Sequence, residues 1–181
     1  MPLLKEGIEQ PLLPVKVMTE RVTKIRAEIM ILGVFQDVRP PRGFAGEVDW
    51  IHNGILSGLI LKKKFDGKIG DALLLHTRRK LPTPATLILG LGQRDKFNYA
   101  TLRLIFETAL EKVSHLQVKQ CVMELFGLMD CMLDLHKSIE CLQEALKPIP
   151  ALQGFDLCLL VCDEDKARQI EQRLSLIGRS A

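Results

Sequence analysis

The chain has 181 residues, and its 25 Lys and Arg against 22 Asp and Glu leave a formal net charge of +3 at pH 7. Hydrophobic residues make up 47% and charged residues 26%, a balance typical of a folded domain that excludes intrinsic disorder. The length suits one compact α/β domain. No apolar run approaches the ~18 residues of a transmembrane helix, so we expect no membrane association. The N-terminus lacks the basic region and apolar core of a signal peptide, and we expect a cytoplasmic protein.

The cysteines and histidines do not form a metal-binding pattern. The five cysteines contain no CxxC pair, and the four histidines do not pair with a cysteine or carboxylate at metal-ligand spacing. The acidic run Asp163-Glu164-Asp165 stands at a predicted helix start, where carboxylates cap free N–H groups. We therefore predict reduced, packed thiols, no metal site and no cofactor.

Short β-branched apolar runs in the first half of the chain predict strands at Val15–Val17, Ala27–Phe35, Ala72–His76 and Ala85–Leu91. A helix is predicted to begin at Asp49, acting as its N-cap, and to run to about Lys63. Gly54 and Gly58 lie four residues apart in it, and we expect them to allow close approach to the sheet. The segment FDGKIG, residues 65–70, predicts a turn.

In the second half, longer periodic segments alternate with strands. Asn98 is predicted to cap a helix whose apolar stripe runs from Leu102 to Leu116, and a further amphipathic helix covers about 135–146. Strands are predicted at Cys121–Leu125 and Leu157–Val161, and Asp163 caps a last helix. This alternation predicts a largely parallel sheet with helices on both faces. We expect an N-terminal extension at 1–14 and a single domain at 15–181.

Several catalytic and cofactor motifs are missing or incomplete. The chain has no GxSxG nucleophile elbow, no phosphate-binding GxxxxGK[ST] loop and no HExxH. Gly90-Leu91-Gly92 follows a strand, but Asp95 stands where a dinucleotide fingerprint has its third glycine. We therefore interpret these glycines as a tight strand exit.

A basic stretch offers a candidate binding surface. If its turn and connector lie at one edge of the sheet, its side chains form a patch for phosphates of nucleic acid or another polyanion. One Trp and one Tyr supply few aromatic rings for base stacking, and a solvated face is the simpler interpretation. The candidate residues are Lys62, Lys63, Lys64, Lys68, Arg78, Arg79 and Lys80.

The order and spacing of several segments resemble the N-terminal domain of the leucyl aminopeptidase family, peptidase family M17. The segments AEIMILGVFQD and FDGKIGDALLLHTRRKLPTPATLILGLGQRDKF carry the resemblance, and FDLCLLVCDEDKARQIEQRL is similar to the last strand and helix of that domain. Together they span about residues 15–178. The matching residues are Gly33-Val34-Phe35, Phe65, Gly67, Lys68, Gly70, Leu73–Leu75 and Gly90-Leu91-Gly92.

The resemblance implies a macro-domain-like three-layer α/β/α sandwich with a mixed, largely parallel sheet. In this family a separate C-terminal domain binds two divalent metal ions and carries the segment NTDAEGR, which has no match here. No catalytic residue is therefore carried over, and we expect this chain not to be an enzyme. We predict a non-catalytic domain that acts in protein association, either as a homo-oligomer or by docking to a catalytic subunit.

Two alternatives remain open. The first is a nucleic-acid- or polyanion-binding module, since some members of the family bind DNA. The second is ADP-ribose-type nucleotide binding, which macro domains perform with an Asn-rich segment and a glycine-rich phosphate loop. Here the early strand leads into GVFQDVRPPRGFAGEVD, which has no Asn-rich segment.

Overall fold

The strands and helices follow the predicted alternation. The computed structural model describes residues 15–128, 131, 133–147 and 154–177, without the side chains of 176 and 177. The extension predicted at 1–14 lies outside the described residues. The strands are β1 (Val15–Met18), β2 (Ile29–Phe35), β3 (Ala72–His76), β4 (Ala85–Gly92), β5 (Gln120–Glu124) and β6 (Asp156–Leu160). The helices are α1 (Gly43–Ile51), α2 (Ile55–Leu61), α3 (Tyr99–Leu116), α4 (Leu135–Leu146) and α5 (Glu164–Ile177).

The six strands form one mixed sheet in the order β1-β6-β5-β2-β4-β3. All neighbouring pairs are parallel except β3 with β4, which is antiparallel. Strand β2 lies in the middle and is buried on both faces, as its continuous apolar run predicts. The predicted mixed, largely parallel sheet is confirmed, with β3 as the antiparallel edge strand.

Helices cover both faces and complete a three-layer sandwich. On one face, α1 and α2 pack through Phe44, Val48 and Leu56 against one side of β2 and β4. On the other, α3, α4 and α5 form the larger core around Phe106 and Leu142. Alternate residues of the strands enter the two clusters, as period-2 side-chain alternation requires.

Three of the helix starts are capped by side-chain oxygens, and two of these caps, Asn98 and Asp163, are the predicted ones. The Asn98 side chain accepts a hydrogen bond from the Thr101 N–H at 3.1 Å, and Asp134 accepts from Lys137 at 3.0 Å. Asp163 accepts from the Asp165 N–H at 2.8 Å. These side-chain oxygens satisfy N–H groups that a first helical turn leaves without partners, so they act as caps.

The single helix predicted from Asp49 to Lys63 is wrong. The chain already forms α1 from Gly43, breaks at Asn53 and Gly54, both with positive φ, and then forms α2. Asp49 lies inside α1, and its carboxylate accepts hydrogen bonds from the Leu56 and Ser57 N–H groups at 2.8 and 3.1 Å. The residue caps a helix as predicted, but the helix begins six residues further on because the chain folds back.

The prediction that Gly54 and Gly58 allow a close approach to the sheet is also wrong. A Cβ built on either residue meets nothing within 4 Å, so both face open space. The close approach lies elsewhere. A Cβ on Gly90 would stand 2.0 Å from the Lys68 carbonyl oxygen, because the 65–70 turn packs its backbone against β4. Gly67 and Gly70 take positive φ there, as the predicted turn requires.

Candidate functional site

The carboxyl ends of the parallel strands form the first place to look, because open α/β sheets bind ligands there. The pairing of β2 with β5 ends at Ile31 and Met123, and the two strands then diverge. The side chain of Glu124 occupies this gap, where its carboxylate accepts a hydrogen bond from the Gly33 N–H at 3.0 Å. The protein therefore places a carboxylate, rather than a phosphate-binding group, between these strands.

The loop after β2 is held down across the same end of the sheet. Arg39 donates hydrogen bonds to the Phe35 oxygen at 2.6 Å and to the Asp66 backbone oxygen at 2.7 Å. The Gln36 amide donates to the Asp66 carboxylate at 3.1 Å, and the Lys68 ammonium lies 3.0 Å from it. The hydrogen bond from Lys68 lowers the pKa of Asp66 and raises the pKa of Lys68 in return.

The two neighbouring loops are also joined to each other. The Asp37 carboxylate accepts a hydrogen bond from the Arg94 N–H at 2.9 Å, which fixes the loop after β2 to the 3-10 turn after β4. The polar groups of this end of the sheet are thus bonded to one another. Across the described part of the chain, no three His, Cys, Asp or Glu side chains form a group able to hold a metal ion.

The seven basic residues fall into two groups along the edge strand β3. Lys62–Lys64 follow α2 and lead into the turn that holds Lys68, whereas Arg78–Lys80 follow β3 at its other end. The five residues of β3 separate the two groups by about 16 Å at ~3.3 Å per residue. Lys68 is paired with Asp66, and the Lys80 ammonium donates to the Ile51 oxygen at 3.1 Å. Turn and connector thus both flank one edge of the sheet, at opposite ends of its strand, and polyanion binding stays a prediction.

Among the residues that the structure describes, the cysteines form no disulfide. Burial raises the pKa of Cys158 to about 11 and raises the pKa of Cys121 still further. Burial also raises the pKa of Cys141 and of Cys162. A nucleophilic cysteine requires a lowered thiol pKa, so these four residues do not have the character of activated thiols. Cys121 is buried, as the predicted packing requires, whereas Cys162 is exposed.

The outer side of the α1 and α2 layer carries apolar side chains that sequence reasoning missed. Trp50 is 85% exposed and Leu61 is 84% exposed, and Ile55 is exposed to 38%. Ile55, Gly58 and Leu61 are spaced three apart on α2, so they share one side of the helix. We call Trp50, Ile55, Gly58 and Leu61 the α1–α2 outer surface.

The sequence of α2 contained a signal for this surface. The helix reads ILSGLIL, and five of its seven residues are Ile or Leu, which is typical of a helix with little exposed surface. Its inner side is buried through Leu56, but its outer side has no cover among the described residues. Beside Trp50, a shallow cleft of about 600 Å³ is lined by Arg21, Arg42 and Glu47 as well as by neighbouring backbone.

None of the described helices combines the length and the apolar character needed to cross a bilayer.

Comparison with known proteins identifies the family. Residues 31–147 match the sequence model of the cytosol aminopeptidase family, N-terminal domain. A probable cytosol aminopeptidase of Alkaliphilus metalliredigens is 24% identical over 62% of this chain and 23% of its own length. One from a Cyanothece species is 33% identical over 49% of this chain and 18% of its own length. The chain thus matches about a fifth of the length of these curated relatives.

Solved structures support the same fold. A macrodomain of Trypanosoma brucei in complex with ADP-ribose superposes with a TM-score of 0.72, covering 92% of this chain and 72% of its own, at 15% identity. The Oceanobacillus iheyensis macrodomain gives a TM-score of 0.72 over 91% of this chain and 92% of its own, at 9% identity. Since the family match covers more than half of the chain and the fold agrees with it, the protein belongs to the cytosol aminopeptidase family, in which it corresponds to the macrodomain-like N-terminal domain.

Proposed function

We propose that this chain is a non-catalytic association domain that docks onto a protein partner through the α1–α2 outer surface. One observation carries the proposal: five of the seven residues of α2 are Ile or Leu, yet Leu61 at its end and Trp50 at the end of α1 are more than four-fifths exposed. A helix of this composition is stable in water only when its outer side is covered as well. The exposed side therefore fits an interface.

The composition around Trp50 supports an interface of the protein–protein kind. Trp and Arg are enriched in interface centres, and Arg21 and Arg42 line the cleft next to Trp50. An arginine packs its long side chain beside an aromatic ring and keeps hydrogen-bonding capacity for a partner carboxylate or carbonyl. Glu47 adds an acceptor at the same cleft.

We infer that the partner is the catalytic part of a cytosol aminopeptidase, on the same or another polypeptide. The relatives are named probable cytosol aminopeptidases, and the matched segment makes up about a fifth of each. The remaining four-fifths of such a protein contain the surface that its own N-terminal domain adjoins. This chain has the fold of that N-terminal domain and an uncovered apolar side on α2. It is therefore suited to bind the surface of a catalytic part that such an N-terminal domain adjoins.

The binding test uses the Alkaliphilus metalliredigens relative from which the matched N-terminal part has been removed. We expect calorimetric titration to show a complex, and Trp50→Ala or Leu61→Ser to weaken it by about tenfold or more, as central interface residues do. Leu116→Ser is the matched control, because Leu116 is a 41% exposed leucine on α3 and away from this surface. Equal affinity for all four proteins, or no complex, would contradict the proposal.

The alternatives of nucleic acid and ADP-ribose have less support from the structure. The basic residues lie in two groups, and a carboxylate lies in the gap between β2 and β5 where a pyrophosphate would need donors. The likeness to macrodomains is below 25% in identity and establishes the fold alone. Titrating the same protein with duplex DNA and with ADP-ribose gives each alternative a direct test, and we expect neither to bind at physiological salt.

A further inference from the structure

The outer edge of β3 carries backbone groups that are ready to pair. Strand β3 is at the end of the sheet and pairs with β4 only. The Gly90 N–H donates to the Asp71 oxygen at 2.9 Å, and the Thr77 N–H donates to the Pro84 oxygen at 2.9 Å. Because antiparallel bonds alternate along a strand, Ala72, Leu74 and His76 direct their N–H and C=O groups away from β4.

These outward groups have no hydrogen-bond partner within the part of the chain that the structure describes. The strand also lacks the devices that usually protect a sheet edge, since ALLLH contains no proline, lysine or bulge. Leu74 is 51% exposed in its middle. Its side chain lies on the α3 side of the sheet, because Leu73 and Leu75 pack in the opposite cluster.

We propose that two copies of this chain join β3 to β3 in antiparallel fashion, about a two-fold axis that passes beside Leu74. The two six-stranded sheets then become one continuous sheet. In this register three residue pairs form between the copies. Leu74 pairs with Leu74, Ala72 with the second copy's His76, and His76 with the second copy's Ala72. All three pairs involve outward-facing residues, so each pair exchanges two N–H···O bonds. The outward N–H and C=O groups of β3 thus find hydrogen-bond partners on β3 of the second copy, and the pairing of β3 with β4 does not change.

Both ends of β3 carry charged side chains. One end is the turn that carries Asp71 and the ion pair of Asp66 with Lys68, and the other is the connector that carries Arg78 and Arg79. An antiparallel pair places the turn of one copy beside the connector of the other. Arg78 and Arg79 both have positive φ and extend from a turn closed by the Lys80 N–H to the Thr77 oxygen at 2.9 Å. Of the acidic residues, Asp71 is the one that adjoins β3 directly, and it comes beside the connector of the second copy.

This interface is separate from the α1–α2 outer surface, because the exposed Leu74 side chain lies on the opposite side of the sheet from α1 and α2. Its failure and the failure of the proposed docking function are therefore distinguishable.

The first test is sedimentation velocity of the full chain from low micromolar to several hundred micromolar concentration. We expect a reversible dimer, and Leu74→Lys should raise its dissociation constant by about tenfold or more, because two leucines lose contact and two like charges face each other. Leu116→Lys is the matched control, at 41% exposure and outside the edge, and should dimerise as wild type does. Leu61→Ser should also leave the dimer intact.

The second test needs no variant. Amide hydrogen exchange of the wild-type chain should slow at Ala72, Leu74 and His76 as concentration rises, whereas Leu73 and Leu75, bonded to β4, exchange slowly throughout. A strict monomer, a dimer that survives Leu74→Lys, or exchange at these three amides that is independent of concentration would overturn the proposal. A dimer lost with Leu61→Ser but kept with Leu74→Lys would assign self-association to the α1–α2 outer surface instead.

Discussion

Asp66 is the residue at which two loops of the carboxyl end meet. Its side chain accepts hydrogen bonds from Gln36 and Lys68, and its backbone oxygen accepts from Arg39. The Lys68 hydrogen bond lowers the pKa of the Asp66 carboxyl, and the ionised form is the form that holds these contacts. The loop after β2 and the turn after α2 thus share one anionic anchor.

We predict that Asp66→Asn removes a pH-dependent part of the stability. The native pKa of Asp66 lies below its value in the unfolded chain, so the contribution is complete above the unfolded pKa of about 4 and disappears as the pH falls through the native pKa. Urea unfolding should therefore give a lower free energy of unfolding for the variant than for wild type at pH 7, and this difference should shrink towards pH 3. When Lys68 is first replaced by Met, adding Asp66→Asn should lower the free energy of unfolding at pH 7 by less than it does in wild type. A difference that does not change with pH would contradict this account.

At the scale of the elements, two glycines play opposite roles although both stand in regular structure. Gly90 of β4 touches the backbone of the turn, with the Gly67 carbonyl carbon 2.6 Å from the position of a Cβ. Gly58 of α2 faces open space. Gly90 near the end of β4 therefore allows the turn to pack on the strand.

We predict that Gly90→Ala destabilises the protein by about 3 kcal/mol or more, because backbone atoms cannot move away from the added methyl group. Gly58→Ala should stabilise it by about 0.5–1 kcal/mol, since alanine restricts the unfolded chain and suits a helix interior. Urea unfolding of both variants checks the two values. A tolerated Gly90→Ala would mean that the turn does not lie against β4, and a destabilising Gly58→Ala would mean that α2 is covered on its outer side.

At the scale of the whole molecule, the chain corresponds to the N-terminal domain of its family and matches 23% of the Alkaliphilus metalliredigens relative. Hydrolysis by two metal ions needs a set of carboxylates that holds the metals and generates the nucleophile. The segment NTDAEGR that carries part of this set in the family has no match in the sequence.

We predict that the chain does not hydrolyse a leucine chromogenic amide, with or without added Mn²⁺ or Zn²⁺. The release of chromophore should stay at the rate of the buffer control at every metal concentration. The full-length Alkaliphilus metalliredigens relative, assayed in parallel, serves as the positive control. Metal-dependent turnover by this chain that a chelator abolishes would show that it carries catalytic groups of its own.

The sequence by itself determined the local elements. Strand β3 begins and ends at the residues predicted, Ala72 and His76, and Asn98 and Asp163 cap the helices that they were predicted to cap. Periodicity and capping depend on residues a few positions apart, so they are visible in one dimension. The family was also visible, because its segments recur in order.

Only the tertiary structure decided how distant segments meet. The break between α1 and α2 follows from the fold-back that brings Asp49 to the N–H groups of Leu56 and Ser57. The position of β3 at the edge of the sheet, antiparallel to β4, follows from how the six strands pair. The exposure of Trp50 and Leu61 depends on what covers α2. Each of these outcomes is set by contacts between residues far apart in the chain, and local patterns do not contain that information.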